Sequence, residues 1–179
     1  MPYFKKVIGK RCYLSPIDPA DVEKYTAWLN DLEVARSLNV APLSISLPAE
    51  REALDKLARG QVYGIILLEG DRLIGNCGFV ALDHLNRTGE IGIFIGTKEY
   101  WGRGYGEEAL RLLLGYGFDY LNLRSVMLQV YSFNERAIAC YRKAGFRELG
   151  RRRKALLREG AEHDLVYMDI LDEEFRAGS

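Results

Sequence analysis

Residues Glu90–Tyr131 read EIGIFIGTKEYWGRGYGEEALRLLLGYGFDYLNLRSVMLQVY, and the hydrophobic period changes twice along them. Glu90–Gly96 (EIGIFIG) and Ser125–Tyr131 (SVMLQVY) are short strand-like runs, whereas Glu107–Leu121 (EEALRLLLGYGFDYL) is an apolar-rich helical run. Strand, helix, strand at this spacing predicts a βαβ crossover, with the two strands as parallel neighbours. Upstream, QVYGIILLE (Gln61–Glu69) and RLIGNCGFVAL (Arg72–Leu82) are strand-like runs joined by the tight-turn pair Gly70-Asp71, and the turn HLNRTG (His84–Gly89) leads into the Glu90 run. These three form an antiparallel meander, so the sheet is mixed.

Working outward, Lys5–Ser15 reads as a first strand closed by Pro16 and Pro19. Asp18 or Asp21 then caps a helix through Val22, Tyr25, Trp28 and Leu29, and a loop with Pro42 and Pro48 leads to a second helix near Ala49–Arg59, ended by Gly60. Beyond the crossover, Asn134–Ala144 reads as a helix capped by Asn134 and stopped by Gly145. Strand candidates Phe146–Leu157 and Ala161–Leu171 follow, joined by the turn REG, and a polar tail ends the chain. The count is about seven strands, with no internal repeat and no linker rich in Gly, Ser or Pro.

A chain of 179 residues suits one domain, and 48% hydrophobic with 28% charged residues excludes disorder along its whole length. Lys plus Arg and Asp plus Glu both count 25, so the net charge is zero and no global field collects the protein on nucleic acid or an anionic membrane. Any anion must be held by a local device. Cys12, Cys77 and Cys140 lie far apart without a CxxC spacing, and His84 and His163 are the two histidines, so the expectation is a reduced cytosolic setting and no metal. The N-terminal residues lack the apolar run of a signal peptide, and no stretch approaches the ~20 apolar residues of a membrane span. The sequence reading is therefore soluble and cytoplasmic.

The local device sits at Tyr100-Trp101-Gly102-Arg103-Gly104-Tyr105-Gly106, between strand and helix. Glycines let backbone N–H groups approach a ligand closely, and the first helical turn adds unsatisfied donors and the positive dipole end, a setting that suits a pyrophosphate. The dinucleotide pattern G-x-G-x-x-G fails at Glu107, and no P-loop is present. Glu107 and Glu108 would repel a phosphate, so both are expected to point outward. The plainer alternative is a glycine turn that only closes the crossover.

The stretch Glu90–Phe146 resembles the GNAT superfamily of acetyl-CoA-dependent N-acetyltransferases. Trp101–Gly106 matches that family's phosphate loop, Q/R-x-x-G-x-G/A, with Trp101 at the first position. Ala-x-x-x-Tyr-x-x-x-Gly-Phe at Ala137–Phe146 and WLNDLEV at Trp28–Val34 are similar to the branch holding ribosomal-protein alanine and spermidine acetyltransferases. The resemblance implies one domain over residues 1–179, with a central mixed, mostly antiparallel twisted sheet and helices on both faces. It implies acetyl-CoA as cofactor, with backbone groups of Ile93, Phe94 and Ile95 pairing with the pantetheine arm. The N–H groups of Gly102, Arg103, Gly104, Tyr105 and Gly106 would hold the pyrophosphate, Asn134 would contact the cofactor, and Tyr141 would be the general acid. Members of this branch often dimerise, so a homodimer is a further expectation.

The chemistry needs a deprotonated amine, a polarised carbonyl and a proton for the departing thiolate. Asn134 and Tyr141 are two helical turns apart and share a face, and a tyrosine with pKa near 10 is protonated at neutral pH. A core tyrosine is the alternative. Glu90 opens the strand expected to bind pantetheine and is the candidate base, directly or through water, or else a strand-end surface carboxylate. Asp31 and Glu33 either neutralise a cationic acceptor or cap and solvate the first helix. Trp28 and Phe79 either wall the acceptor pocket or pack in the core. Cys140 adjoins Tyr141, but helix neighbours point ~100° apart and no histidine is near in sequence, which argues against an acetyl-cysteine. The run Arg151, Arg152, Arg153, Lys154 suits a solvated strand, with the CoA 3′-phosphate, RNA or an acidic protein as other partners. The acceptor that the resemblance implies is a primary amine on a protein N-terminus, a polyamine, an aminoglycoside or an amino sugar; a non-catalytic acyl-CoA-binding module is the second reading.

Overall fold

The computed structural model of the chain describes residues 3–178, and its strands form an eight-stranded sheet in the order β1-β2-β3-β4-β5-β6-β8-β7. The chain divides into two compact units, one holding the residues up to Phe79 together with Ile93–Leu113, the other Val80–Gly92 and the residues from Leu114 onward.

In the first unit, the run read as one strand at Lys5–Ser15 is a hairpin, β1 (Val7–Ile8) and β2 (Cys12–Pro16), paired Val7↔Leu14 and Ile8↔Tyr13. This is why the sheet has eight strands and not about seven. The chain reverses at Gly9, whose N–H donates to the Cys12 carbonyl at 2.9 Å, and a Cβ at Gly9 would meet that carbonyl at 2.8 Å. β2 pairs with β3 (Gln61–Leu67), and β3 with β4 (Leu73–Asp83), both antiparallel. The Gly70-Asp71 turn has φ of 75° and 45°, the left-handed pair a tight reversal needs.

The helices of this unit follow local chemistry. Asp18 accepts the Ala20 N–H at 2.9 Å and caps a 3-10 turn, Pro19–Asp21, that leads into α1 (Val22–Asn30); Asp21, the other candidate cap, makes no side-chain cap bond. A short α2 (Leu32–Ala35) follows, its Glu33 N–H held by the Asp31 carboxylate at 3.0 Å. α3 (Leu47–Leu57) starts two residues earlier than Ala49 because Ser46 caps it and Pro48 fits the donor-free first turn. Val22, Tyr25 and Trp28 of α1 join Tyr13, Leu54, Ile66 and Leu73 in one buried cluster. Each fully buried Leu or Ile there contributes about 1.5–3 kcal/mol.

In the second unit, β5 (Thr88–Ile95), whose last residues return to the first unit, pairs in parallel with β6 (Ser125–Tyr131) from Thr88↔Ser125 to Glu90↔Met127. This is the crossover, made by α4 (Tyr105–Asp119). β6 alternates buried Val126, Leu128 and Val130 with less buried residues, and pairs antiparallel with β8 (Ala161–Leu171), which pairs with β7 (Arg147–Arg158). The β7–β8 turn has Glu159 and Gly160 at φ 52° and 77°. α5 (Glu135–Ala144) lies between β6 and β7 in the chain and ends at Gly145, φ 106°. In place of the expected polar tail there is a helix, α6 (Asp172–Ala177): Glu174 accepts the Leu171 N–H at 3.1 Å and Phe175 packs on Phe118 with ring centroids 5.4 Å apart. Among the described residues no helix is long and apolar enough to cross a membrane.

Candidate active site

The glycine turn lies in the first unit, at the start of α4. Gly102 and Gly104 have φ of 70° and 82°, a left-handed conformation that favours glycine and is the kind of backbone from which anion-binding turns are built. At this end the Glu108 N–H donates to the Gly104 carbonyl at 3.1 Å, and the N–H groups that precede it belong to the first turn, which a helix leaves without intrahelical partners. Gly102, Arg103 and Gly104 are exposed, and a Cβ at Gly102 would meet nothing within 4 Å.

Glu108 does not point outward as expected. Its side chain is 15% exposed, and one oxygen accepts the N–H groups of Lys10 and Arg11, each at 2.7 Å, and of Cys12 at 3.3 Å, while the other pairs with Arg11 Nε at 2.9 Å. Desolvation works to raise the Glu108 carboxyl, but these partners outweigh it and hold the group below the usual carboxylate range. The β1–β2 reversal leaves three N–H donors pointing at one place, and Glu108 satisfies them, so its charge is consumed inside the protein. Glu107 pairs with Arg111 at 3.3 Å on the helix surface.

Trp101, at the first loop position, donates its indole N–H to the Ile95 carbonyl at 2.7 Å and so ties the turn to β5. That carbonyl keeps a second lone pair for another donor. The Phe94 carbonyl lies against Gly75, where any Cβ would run into it. Trp28 covers Gly96 at 9% exposure, edge-on to Tyr25 and Phe94 with centroids 5.2 and 6.0 Å away. Phe79 is 5% exposed and faces Gln61 across β3 and β4. Both aromatic side chains are packed. Asp31 and Glu33 meet at Lys98, whose ammonium lies 2.7 and 2.5 Å from their carboxylates; this hydrogen bond from Lys98 holds Asp31 below its ordinary range.

The second unit holds Glu90, Asn134 and Tyr141. Glu90 is the last residue of the parallel ladder, and its Oε1 accepts from Gln129 Nε2 at 2.7 Å. Asn134 caps α5: Oδ1 accepts the Ala137 N–H at 3.2 Å, which leaves the amide donors for another partner. Tyr141 belongs to the buried face of α5 with Ile138 and Ala144, at 8% exposure, and lies edge-on to Phe146 at 6.1 Å. Its hydroxyl makes no hydrogen bond among the described residues. Burial, with a smaller effect from Cys140, pushes its phenol above the ordinary 10.0. In the basic run, Arg151 pairs with Glu148 at 2.6 Å and Lys154 with Glu162 at 2.7 Å, and the run spans an irregularity in the β7–β8 register. Among the described residues no group of three or more His, Cys, Asp or Glu could hold a metal.

Compared with known proteins, residues 11–147 match the acetyltransferase (GNAT) domain family. The chain belongs to the GNAT acetyltransferases. YdaF of Bacillus subtilis strain 168, provisionally named a ribosomal N-acetyltransferase, is 31% identical over 166 residues, 89% of this chain and 90% of YdaF. The spermidine N(1)-acetyltransferase of Escherichia coli K12 is 32% identical over 113 residues, 63% of this chain and 60% of that protein. The crystal structure of a GNAT-family acetyltransferase from Bacillus anthracis superposes with a TM-score of 0.83 at 23% identity, covering 94% of this chain and 99% of the other. This GNAT chain is an acetyl-CoA-dependent N-acetyltransferase. The donor set at Gly102–Gly106 fits the pyrophosphate of CoA: left-handed glycines, unsatisfied N–H groups at a helix start, and an adjacent carboxylate already neutralised.

Four residues escaped the sequence reading: Arg11, Lys98 and Gln129 as partners, and Glu108 as anchor. Gln129 follows from the parallel register, since Glu90↔Met127 puts it one same-face step further along β6. Arg11 and Glu108 are 97 residues apart and carry no local signal.

Proposed function

We propose that residues 1–179 act as one domain that transfers acetyl from acetyl-CoA to a primary amine by direct attack in a ternary complex. The observation that carries this is the exposed left-handed glycine turn at the start of α4, with the nearby carboxylate of Glu108 consumed by Arg11 and three backbone N–H groups.

The N–H groups of Gly102, Arg103, Gly104, Tyr105 and Gly106 bind the pyrophosphate, and Trp101 fixes the turn through Ile95. Backbone groups of Ile93, Phe94 and Ile95 pair with the pantetheine arm, the Ile95 carbonyl already accepting from Trp101 with one of its two lone pairs. When bound, acetyl-CoA supplies the activated acetyl thioester. Asn134 donates its amide N–H groups to the cofactor. Tyr141, kept protonated by burial, gives its phenolic proton to the leaving sulfur. Glu90, oriented by Gln129, accepts a proton from the amine directly or through one water. Asp31 and Glu33 attract a cationic acceptor, which competes there with the single ammonium of Lys98.

The names of two relatives support a protein N-terminus or a polyamine as acceptor. The test is thiol release from acetyl-CoA across a panel of amines that includes a ribosomal-protein N-terminal peptide, spermidine, an aminoglycoside and an amino sugar. Release with a subset of amines is the expected result. CoA binding by calorimetry without release for any amine would leave a non-catalytic acyl-CoA-binding module. A cytoplasmic homodimer is part of the same proposal, and light scattering tests the dimer.

A further inference from the structure

An interaction network in the first unit surrounds Arg11, which belongs to no motif of the family resemblance. Arg11 Nε pairs with Glu108 at 2.9 Å, its Nη1 donates to the Arg103 carbonyl at 2.8 Å, and its guanidinium carbon stands 4.5 Å over the Tyr105 ring. A Cβ on Gly104 would come within 3.1 Å of Arg11 Nη2, so the guanidinium lies against the loop backbone. The same Glu108 carboxylate holds the backbone from which Arg11 springs, through the N–H groups of Lys10, Arg11 and Cys12. Both ends of the side chain are therefore anchored.

The consequence for the loop follows from peptide geometry. In a planar trans peptide the carbonyl oxygen and the next N–H point in opposite directions. Drawing the Arg103 oxygen toward Arg11 therefore turns the Gly104 N–H away from Arg11, to the opposite face of the turn. A left-handed glycine turn has a soft backbone, and without a partner for that carbonyl the 103–104 peptide is free to flip. The guanidinium suits this task because its planar fork serves two acceptors at fixed angles, which a lysine ammonium on a flexible stem does not reproduce.

We propose that Arg11 is a positioning residue for CoA binding: anchored by Glu108, it holds the Arg103 carbonyl so that the Gly104 N–H faces the pyrophosphate. This rests on the assignment of Gly102–Gly106 as the pyrophosphate loop. The role is distinct from a direct charge contact, which lysine would preserve, and from general support of the fold, which would affect acceptor and cofactor alike.

The test measures CoA affinity by calorimetry for the wild type, Arg11→Gln, Arg11→Lys, Glu108→Gln and the Arg11→Gln/Glu108→Gln double variant, with a thermal melt of each. Turnover of acetyl-pantetheine, which lacks the pyrophosphate and nucleotide, is measured alongside. Loss of one oriented donor predicts about tenfold weaker CoA binding in Arg11→Gln and in Arg11→Lys. The double variant is expected to be no weaker than the weaker single variant, because the two residues act as one unit. Acetyl-pantetheine turnover stays at the wild-type value. Wild-type CoA affinity in Arg11→Gln, full rescue by Arg11→Lys, additive losses in the double variant, or an equal loss with acetyl-pantetheine would each overturn the proposal. A wild type that binds no CoA removes the loop assignment itself, and this proposal with it.

Discussion

Replacing Tyr141 by Phe removes one oxygen from a buried ring, and the structure separates what this should do to stability from what it should do to rate. The hydroxyl has no hydrogen-bond partner among the described residues, so its removal leaves no stranded donor or acceptor. Phe keeps the edge-on contact with Phe146 at 6.1 Å. The expected stability change is about 1 kcal/mol or less, a melting shift of about 2–4 °C at most for a chain of this size. CoA affinity, assigned to the Gly102–Gly106 N–H groups, the Ile93–Ile95 backbone and Asn134 and not to this hydroxyl, should be unchanged. A positioned general acid is worth about 10²–10⁴-fold in rate, or roughly 2.7–5.4 kcal/mol at 1.36 kcal/mol per tenfold. Turnover followed by thiol release should fall by that factor at neutral pH. Because burial raises the phenol above 10.0, the wild-type rate should also show no alkaline decline from Tyr141 below that pH. Turnover within about twofold of wild type, or a loss accompanied by an equal loss of CoA binding, would refute the assignment.

Three further outcomes follow from the geometry. Gly104→Glu places a side chain at φ 82° with its Cβ 3.1 Å from Arg11 Nη2 and a carboxylate beside the loop; CoA affinity should fall at least ~100-fold by calorimetry, and normal affinity would sink the loop assignment. Gly96→Ala drives a methyl into the Trp28 indole, an overpacking that costs about 1–3 kcal/mol and lowers the melting temperature by roughly 2–12 °C; an unchanged melt would contradict the Trp28 packing. Glu108 is held below its ordinary 4.5, so its contribution is full above 4.5 and is lost as pH falls through the lowered folded value. Denaturant melts of wild type and Glu108→Gln should therefore converge as pH drops below 4.5, and curves that stay parallel would show that the clamp contributes nothing.

The crossover from Glu90 to Tyr131 was legible because periods of 2.0 and 3.6 are local properties, and Gly102 and Gly104 announce their φ by lacking a side chain. Boundaries moved where chemistry beyond the period intervened: Ser46 and Pro48 start α3 early, and Phe175 packing on Phe118 makes a helix of a polar tail. The hairpin within Lys5–Ser15 hid because its turn, Gly9-Lys10-Arg11, is completed by a carboxylate from α4.

By itself the sequence determined the order and kind of nearly all elements, the mixed sheet, and a glycine turn between strand and helix in a chain with 25 charges of each sign. Tertiary structure decided where the charges go. Glu108, expected to face solvent and avoid a phosphate, is instead neutralised by Arg11 and three N–H groups, and Asp31 and Glu33 share Lys98. Hydrophobic periodicity is a sum over neighbours in the chain, whereas a carboxylate's partners are set by packing across 97 residues for Glu108 and Arg11 and 65 for Glu33 and Lys98, and no local pattern records them.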